Sequence, residues 1–332
     1  MESQSSRRKF FRSTAGVAAA AGLAELLAAA PARAAEGFTT SGLINAVKRA
    51  RLFDLSPIWD ENSPIAGVNP PYRMTLDPND PVLNGAANHA STRGAFEDGG
   101  QLSFAGEVQH WSGQHGAPSI DAIGHIGRDG LLFGGIDAAD ATSDLRGIGR
   151  SGVGAHLDIA HYPKELLVNR GVLLDVGRFI NRGAKPLSPG FNITADMLAD
   201  TARQQGVTIG RGDTVLIRTG WGRYFSERPD LYKGDSAAGV GLTGAQFLVD
   251  AGARVVGNDT LTFEVRPPVV LSPFQVFPVH MLLIADHGIH IIENYFLEEI
   301  AAAKEYEFLL VVPPLKIRGG TGSALRSFAL VP

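Results

Sequence analysis

The stretch HGAPSIDAIGH, residues 115–125, is the most informative part of this sequence, and HMLLIADHGIHIIE, residues 280–293, complements it. Imidazoles and carboxylates are the ligands that borderline divalent ions such as Zn²⁺ and Mn²⁺ accept. The chain has 9 histidines, so close spacings also arise by chance, and each stretch alone is a weak signal. Together the two stretches predict a metal-dependent hydrolase. The side chains that suggest it are His115, Asp121, His125, His280 and Glu293.

Six further segments accompany these two stretches, and their order along the chain strengthens the interpretation. They are FDLSP (53–57), RGVLLDV (170–176), GDTVLIRTGWG (212–222), VVGNDT (255–260), FPVH (277–280) and LKIRGGTGS (315–323). In this order the segments resemble the cyclase family of metal-dependent hydrolases, which includes bacterial kynurenine formamidase and isatin hydrolase. The resemblance extends from about residue 52 to the C-terminus.

The family signature His-x-Gly-Thr-His-x-Asp-x-x-x-His falls on residues 115–125 of this chain. The resemblance implies that His115, Asp121, His280 and Glu293 are metal ligands and that His125 is the catalytic histidine. The chain departs from the signature where the family has Gly-Thr-His, because residues 117–119 read Ala-Pro-Ser. A hydroxyl is a poor ligand for a borderline ion, so we expect one ion per chain, Zn or Mn.

We expect the metal ion to lower the pKa of water and to polarise a carbonyl, while His125 acts as general base and then as general acid. Asp121 and His125 share a face whether the intervening backbone is helical or extended, so their spacing leaves the backbone open. Ser119 and Asp259 are candidates for supporting positions around the ion, and Asp259 fits a plain turn or helix cap equally well.

Two other functions use the same residues. One is a periplasmic small-molecule binding protein in which Ser119 marks a degenerate metal site. The other is a metal-dependent cyclase or lyase, which the sequence does not separate from a hydrolase. The hydrolase would cleave an amide, cyclic amide or lactone bond in a small, aromatic substrate.

The N-terminus predicts export. The segment SRRKFFR (6–12) is a twin-arginine pattern, followed by an alanine-rich run over residues 15–31 and by Ala-Arg-Ala at residues 32–34. We therefore expect a signal peptide over residues 1–34 and a hydrolase domain over residues 35–332, located in the periplasm. An uncleaved anchor or a disordered tail is the alternative.

Composition excludes several classes of function. Cleavage after Ala34 would remove five basic and two acidic residues, leaving 25 basic and 32 acidic residues and a net charge near −7. That charge argues against nucleic-acid binding and against stable membrane association. The chain has no cysteine, which excludes disulfides and thiolate metal sites.

The resemblance also implies a homo-oligomer.

Strand and helix signals alternate along the chain. Apolar, β-branched runs predict strands near residues 52–55, 172–176, 214–218, 254–257, 289–292, 307–312 and 327–331. Capping residues and glycine stops predict helices near residues 40–47, 194–206, 243–252 and 297–303. This alternation indicates an α/β protein in one compact domain. The resemblance implies a strongly curved mixed sheet or partial barrel surrounded by helices.

Overall fold

The computed structural model describes residues 39–60, 62–65, 72–76, 107–110, 118–142, 152–154, 156–268 and 275–332. The chain divides into two compact units, residues 1–50 with Pro332 and residues 51–331. In the first unit, helix α1 (Thr40–Arg49) begins after Thr39, whose hydroxyl accepts the backbone N–H of Gly42 at 3.0 Å. The predicted signal peptide, residues 1–34, lies outside the described residues.

The second unit contains all the strands that the described residues form. In chain order they are β1 (Arg51–Asp54), β2 (Arg73–Leu76), β3 (Glu107–His110), β4 (Ser119–Asp121), β5 (Leu131–Leu132), β6 (Ile136–Asp137), β7 (Val168–Leu174), β8 (Asn192–Ile193), β9 (Thr214–Ile217), β10 (Gly239–Val240), β11 (Val255–Asn258), β12 (His290–Glu293), β13 (Glu307–Val311), β14 (Gly322–Ala324) and β15 (Phe328–Val331). Nine of them form one curled sheet in the order β1-β15-β13-β7-β9-β11-β12-β4-β14.

The helices of this second unit are short. They are α2 (Ala138–Thr142), α3 (Val176–Asn181), α4 (Ala195–Gln205), α5 (Tyr224–Glu227), α6 (Pro229–Tyr232), α7 (Leu242–Ala251), α8 (Pro278–His280) and α9 (Glu298–Ala302). A π-helical turn, Met281–Asp286, continues α8, and 3₁₀ turns lie at Ile159–His161, Lys164–Leu166 and Trp221–Arg223. None of the helices in the described part of the chain is long and apolar enough to cross a membrane.

The middle of the sheet is parallel, and both of its faces are buried. Strands β7, β9, β11 and β12 run parallel, while their neighbours on either side run antiparallel. Val172 and Leu174 belong to one hydrophobic cluster and Leu173 to the other, as successive side chains of a strand point to opposite faces. Helices α4 and α7 contribute Leu198 and Leu248 to the first cluster. This layered burial is typical of parallel strands and fixes the position of β12.

A buried ionic network fastens the carboxyl ends of β7 and β9. Arg218, which is 2% exposed, donates to Asp175 Oδ1 at 2.7 Å and to both carboxylate oxygens of Glu298 at 2.9 and 2.8 Å. Asp175 also caps α3 by accepting the N–H of Arg178 at 3.0 Å. The guanidinium is therefore paired on both sides, which offsets the cost of burying its charge.

The predicted α/β fold with a strongly curved mixed sheet is confirmed. The predicted strands appear as β1, β7, β9, β11, β12, β13 and β15, displaced by a few residues at most. Helices α4 and α7 end as predicted at Gly206 and Gly252, which adopt φ angles of 70° and 81°. Strand β4 went unpredicted, because three residues are too few to show an alternating pattern.

Candidate metal centre

Two paired strands place carboxylates on one face of the sheet. In the antiparallel pair β4–β12, Ser119 lies opposite Glu293 and Ile120 lies opposite Ile292. Residues directly opposite each other share a face, and residues two apart on a strand share it too. Ser119, Asp121 and Glu293 therefore project to the same side, while both isoleucines, fully buried, project into the core on the other side.

The third side chain of the centre, His280, comes from α8. Proline at residue 278 begins this short helix, where a missing N–H costs nothing. Buried Glu264 accepts the free N–H groups of Val279 at 3.2 Å and of His280 at 3.3 Å. The same carboxylate lies 2.5 Å from His280 Nδ1, so it holds the ring as well as the helix start. His280 Nε2 is thereby directed towards the two strands.

Asp121, His280 and Glu293 converge at one point. His280 Nε2 lies 3.3 Å from Glu293 Oε1 and 3.9 Å from Asp121 Oδ2, and one ligand atom from each residue falls within 4.8 Å of the others. All three residues are buried. Zn–N and Zn–O distances of about 2.0–2.2 Å imply ligand separations of roughly 3.3 Å. Two carboxylates and one imidazole at this spacing fit a borderline divalent ion.

The electrostatics of the cluster also suit a cation. Burial alone would lower the pKa of His280, but hydrogen bonds to Glu264 and Glu293 outweigh it and raise that pKa to about 10. In the ion-free cluster the imidazole therefore carries a proton at neutral pH. A divalent ion would compete with this proton for Nε2 and would take over its role of balancing the carboxylates.

The segment after β4 is a tight turn, which neither a helix nor an extended strand describes. The N–H of His125 bonds to the carbonyl of Ala122 at 3.0 Å, and the N–H of Gly124 bonds to Leu157 O at 2.9 Å. A Cβ at Gly124 would come within 2.7 Å of Val153 and 2.9 Å of Leu157, so the turn requires glycine there. His125, which is half-buried, is the last residue of this turn.

The other predicted site residues divide into three cases. His115 lies outside the described residues. Ser119 is 1% exposed, and its hydroxyl has no hydrogen-bond partner within the described part of the chain. The carboxylate of Asp259 accepts the N–H groups of Thr219 and Gly220, both at 2.8 Å, so its described bonds go to the loop after β9.

His290 lies on the opposite face of β12 from Glu293, as its alternation with isoleucine predicts. Its Nδ1 bonds to the backbone carbonyl of Asp121 at 2.8 Å, and its ring packs edge-on against Tyr162 at a centroid distance of 4.8 Å. Burial lowers the pKa of His290 to about 4, although the bond to the carbonyl partly offsets this effect. His290 therefore stays neutral at physiological pH and holds β4 against β12.

Glu264 is the supporting residue that the sequence reasoning missed. It follows Phe263 and precedes Val265, both buried, and it is itself only 1% exposed. In the sequence this alternation of apolar and acidic residues is also typical of a half-exposed strand, so it gave no signal of a buried carboxylate. The partner, His280, lies 16 residues further on and is found only in the folded chain.

A comparison with known families identifies the family of the chain. The family model described as "Putative cyclase" matches residues 53–265. The chain belongs to the Cyclase family. Among solved structures, one described as a novel cyclase is 25% identical, with a TM-score of 0.70, and the match covers 90% of this chain and 93% of that one.

Two further proteins are similar to this chain. Isatin hydrolase from Roseibium aggregatum is 27% identical over 154 residues, which is 43% of this chain and 54% of that protein. The match thus spans about half the length of this curated relative. A predicted metal-dependent hydrolase from Bacillus stearothermophilus shares the fold, with a TM-score of 0.52, 18% identity, and coverage of 85% of this chain and 98% of that one.

Replacing Glu264 by Gln tests its support of His280. Glutamine keeps one oxygen and so accepts one of the two backbone N–H groups, which the carboxylate accepts on separate oxygens, and it removes the charge beside the ring. We expect the affinity of the centre for Zn²⁺ to fall about 10- to 100-fold, measured by competition with a chelating dye. The control is Glu307→Gln, which removes an exposed carboxylate paired with Arg170 and should leave the affinity unchanged. Equal affinities in wild type and Glu264→Gln would contradict this role.

The lowered pKa of His290 predicts a pH-dependent stability. Below about pH 6.5 the unfolded chain binds a proton at this residue and the folded chain does not, so acid favours unfolding until about pH 4. His290→Asn keeps a donor for the Asp121 carbonyl but does not titrate. With chelator present, the unfolding free energy of wild type relative to this variant should fall by about 2 kcal/mol from pH 7 to pH 5. Urea unfolding at both pH values measures it, and a constant difference would refute the assignment.

Proposed function

We propose that this chain is a metal-dependent hydrolase that opens an amide, cyclic amide or lactone carbonyl of a small, aromatic substrate. The observation that carries the proposal is the convergence of Asp121, His280 and Glu293, all buried, with ligand atoms within 4.8 Å of one another. Membership of the Cyclase family and the partial match to isatin hydrolase support the choice of reaction.

In this proposal Asp121, His280 and Glu293 hold one divalent ion, Zn or Mn, and His115 completes the ligand set. Such an ion lowers the pKa of water towards neutrality and polarises a carbonyl. Asp121 and Glu293 supply negative charge, and Glu264 keeps the ring of His280 oriented from behind. The ion is thereby fixed relative to the rigid pair β4–β12.

His125 acts as the general base in this proposal. The turn after β4 connects it to Asp121 through three residues, and it is half-buried. A neutral imidazole accepts a proton from attacking water near physiological pH and returns it to the leaving group.

A cavity of about 540 Å³ beside these elements is the proposed entry for the substrate. It is lined in part by Ile126, which follows the proposed base, and by Phe277 and Met281, which flank His280. The ring of Phe277 packs edge-on against His280 at a centroid distance of 5.2 Å. Arg128, Asp129 and Gln275 also line the cavity, so its apolar and aromatic walls are combined with polar and charged groups, a mixture that suits a small aromatic molecule with a polar carbonyl.

We also propose that residues 1–34 form a twin-arginine signal, that residues 35–332 form the periplasmic hydrolase domain, and that the domain acts as a homo-oligomer. The support is the SRRKFFR segment with its alanine-rich continuation, and for the oligomer the family resemblance. Export in a folded state suits a protein that acquires its metal before it crosses the membrane.

A binding protein on the same fold is the second candidate function, and one observation favours it. Ser119 stands on the same face as Asp121, directly opposite Glu293, where the family signature has a ligand histidine. The loss of that ligand would suit a site that binds a small molecule without turnover. A cyclase or lyase would use the hydrolase residues unchanged.

Replacing His125 by Ala tests whether His125 is the general base or a metal ligand. We expect turnover of cyclic amides, with isatin as the first probe, to fall by about two to four orders of magnitude. Bound metal, measured by elemental mass spectrometry, should stay at the wild-type level. His287→Ala, which removes an exposed imidazole elsewhere, should leave both quantities unchanged. Loss of metal from His125→Ala would make His125 a ligand and contradict its role as base.

Ser119→His restores the family signature at one position. At this centre we expect wild type to hold about one equivalent of Zn or Mn and the variant to hold about one equivalent more, because an imidazole adds a ligand beside Asp121. Ser119→Ala is the control and should hold as much metal as wild type. Wild type that holds no metal after reconstitution, with binding only in Ser119→His, would contradict the hydrolase and favour the binding protein.

A further inference from the structure

A second group of histidines lies on the opposite side of the sheet from the candidate metal centre. A cavity of about 410 Å³ there is lined in part by His156, Asp158, His161 and His290. His290 projects from the face of β12 opposite Glu293, so the cavity and the candidate metal centre are separated by the sheet. None of the four residues belongs to the predicted ligand set.

Asp158 orients His161. Its carboxylate is 5% exposed and fixed from one side, where Oδ2 accepts the N–H of Gly319 at 2.7 Å. Its other oxygen hydrogen-bonds to Nδ1 of His161. A carboxylate on one ring nitrogen sets the tautomer, so the other nitrogen, Nε2, carries the lone pair. The side chain of His161 is 46% exposed, so Nε2 is accessible.

The lone pair of His161 Nε2 meets a second imidazole. His156 Nδ1 lies 2.8 Å from it, with the ring centroids 4.3 Å apart and the planes at 78°. His156 adopts a φ of 63°, a backbone conformation that residues other than glycine rarely take. When both rings are neutral, one proton shared between these two nitrogens forms a hydrogen bond from one ring to the other. The same two nitrogens can instead share a metal ion.

We propose that His156 Nδ1 and His161 Nε2 bind a borderline divalent ion such as Zn²⁺, Ni²⁺ or Cu²⁺, with Asp158 as the residue that positions His161. Zn–N bonds of about 2.0–2.1 Å would separate the nitrogens by roughly 3.3 Å. The present separation of 2.8 Å is smaller by about 0.5 Å, which a modest rotation of the exposed His156 ring supplies.

The rest of the cavity suits a metal site better than a nucleophilic one. A triad of the Ser-His-Asp type needs a hydroxyl or thiol beside the histidine, and the described residues lining the cavity include neither. The open coordination positions face a space with room for water and with Arg254 on its wall. An ion here would therefore complete its shell with water or with a small anion that also meets the guanidinium.

Zinc binding to the full chain, measured by equilibrium dialysis, tests this proposal. His156→Gln and His161→Gln should each bind one equivalent of Zn²⁺ fewer than wild type. His287→Gln, which removes another imidazole from the same cavity, is the matched control and should bind as many equivalents as wild type. Because His156 is exposed, its replacement should leave the circular dichroism spectrum and melting temperature unchanged.

Equal stoichiometry in wild type, His156→Gln and His161→Gln would overturn the proposal. An equal loss in His287→Gln would also overturn it, because the ion would then lie elsewhere in the cavity. Electron paramagnetic resonance of wild type and His156→Gln, each with two added equivalents of Cu²⁺, supplies a direct readout of ligation, because the candidate metal centre takes one equivalent in both. The difference between the two spectra should show hyperfine splitting from two imidazole nitrogens that His156→Gln lacks.

Asp158→Asn tests the positioning role. The amide oxygen still accepts one N–H group, but the negative charge beside Nδ1 of His161 is removed. We expect the Zn²⁺ affinity of this equivalent to fall about 10- to 100-fold while the equivalent is still bound at saturation. An unchanged affinity would mean that Asp158 does not position His161, and it would contradict this part of the proposal.

Discussion

The register between β4 and β12 is the constraint on which the candidate metal centre depends. A slip of one residue would turn every side chain of β4 to the other face, sending Asp121 into the core and Ile120 into the ligand cluster. Two features oppose that slip. Ile120 and Ile292 are fully buried as a cross-strand pair, and His290 bonds to the Asp121 carbonyl from the far side. Strand β12 is itself fixed by its parallel pairing with β11.

The candidate metal centre concentrates carboxylates in the buried interior of the protein. Asp121, Glu264 and Glu293 are each 1% exposed, and His280 is the imidazole they share. Buried carboxylates are costly unless a cation or hydrogen-bond donors compensate them. Glu264 is compensated by two backbone N–H groups and the ring, whereas Asp121 and Glu293 approach the Nε2 side of that ring. The asymmetry explains why one carboxylate supports the histidine and two are suited to hold an ion.

The sequence predicted the fold class and the long elements because their signals are local. Helices α4 and α7 carry glycine stops, and β7 and β9 carry continuous apolar runs. The grouping of Asp121 with His280 and Glu293 came from a resemblance, since 159 residues separate the first two. Glu264 and the His156–His161 pair escaped prediction because each depends on contacts made only after folding. The turn before His125 escaped because a spacing of four fits several backbones.

The departure from the family signature at Ser119 replaces an imidazole by a hydroxyl without disturbing the strand that carries it. Ser119 still pairs with Glu293 on one side and Ala324 on the other, so the backbone of β4 is continuous through the substitution. A serine side chain is smaller than an imidazole, and its buried hydroxyl bonds to none of the described residues. Such a group costs stability when left unpaired. Since Asp121, His280 and Glu293 still converge and Glu264 still supports the imidazole, the proposed centre with one ion accounts for the substitution better than general decay of the site does.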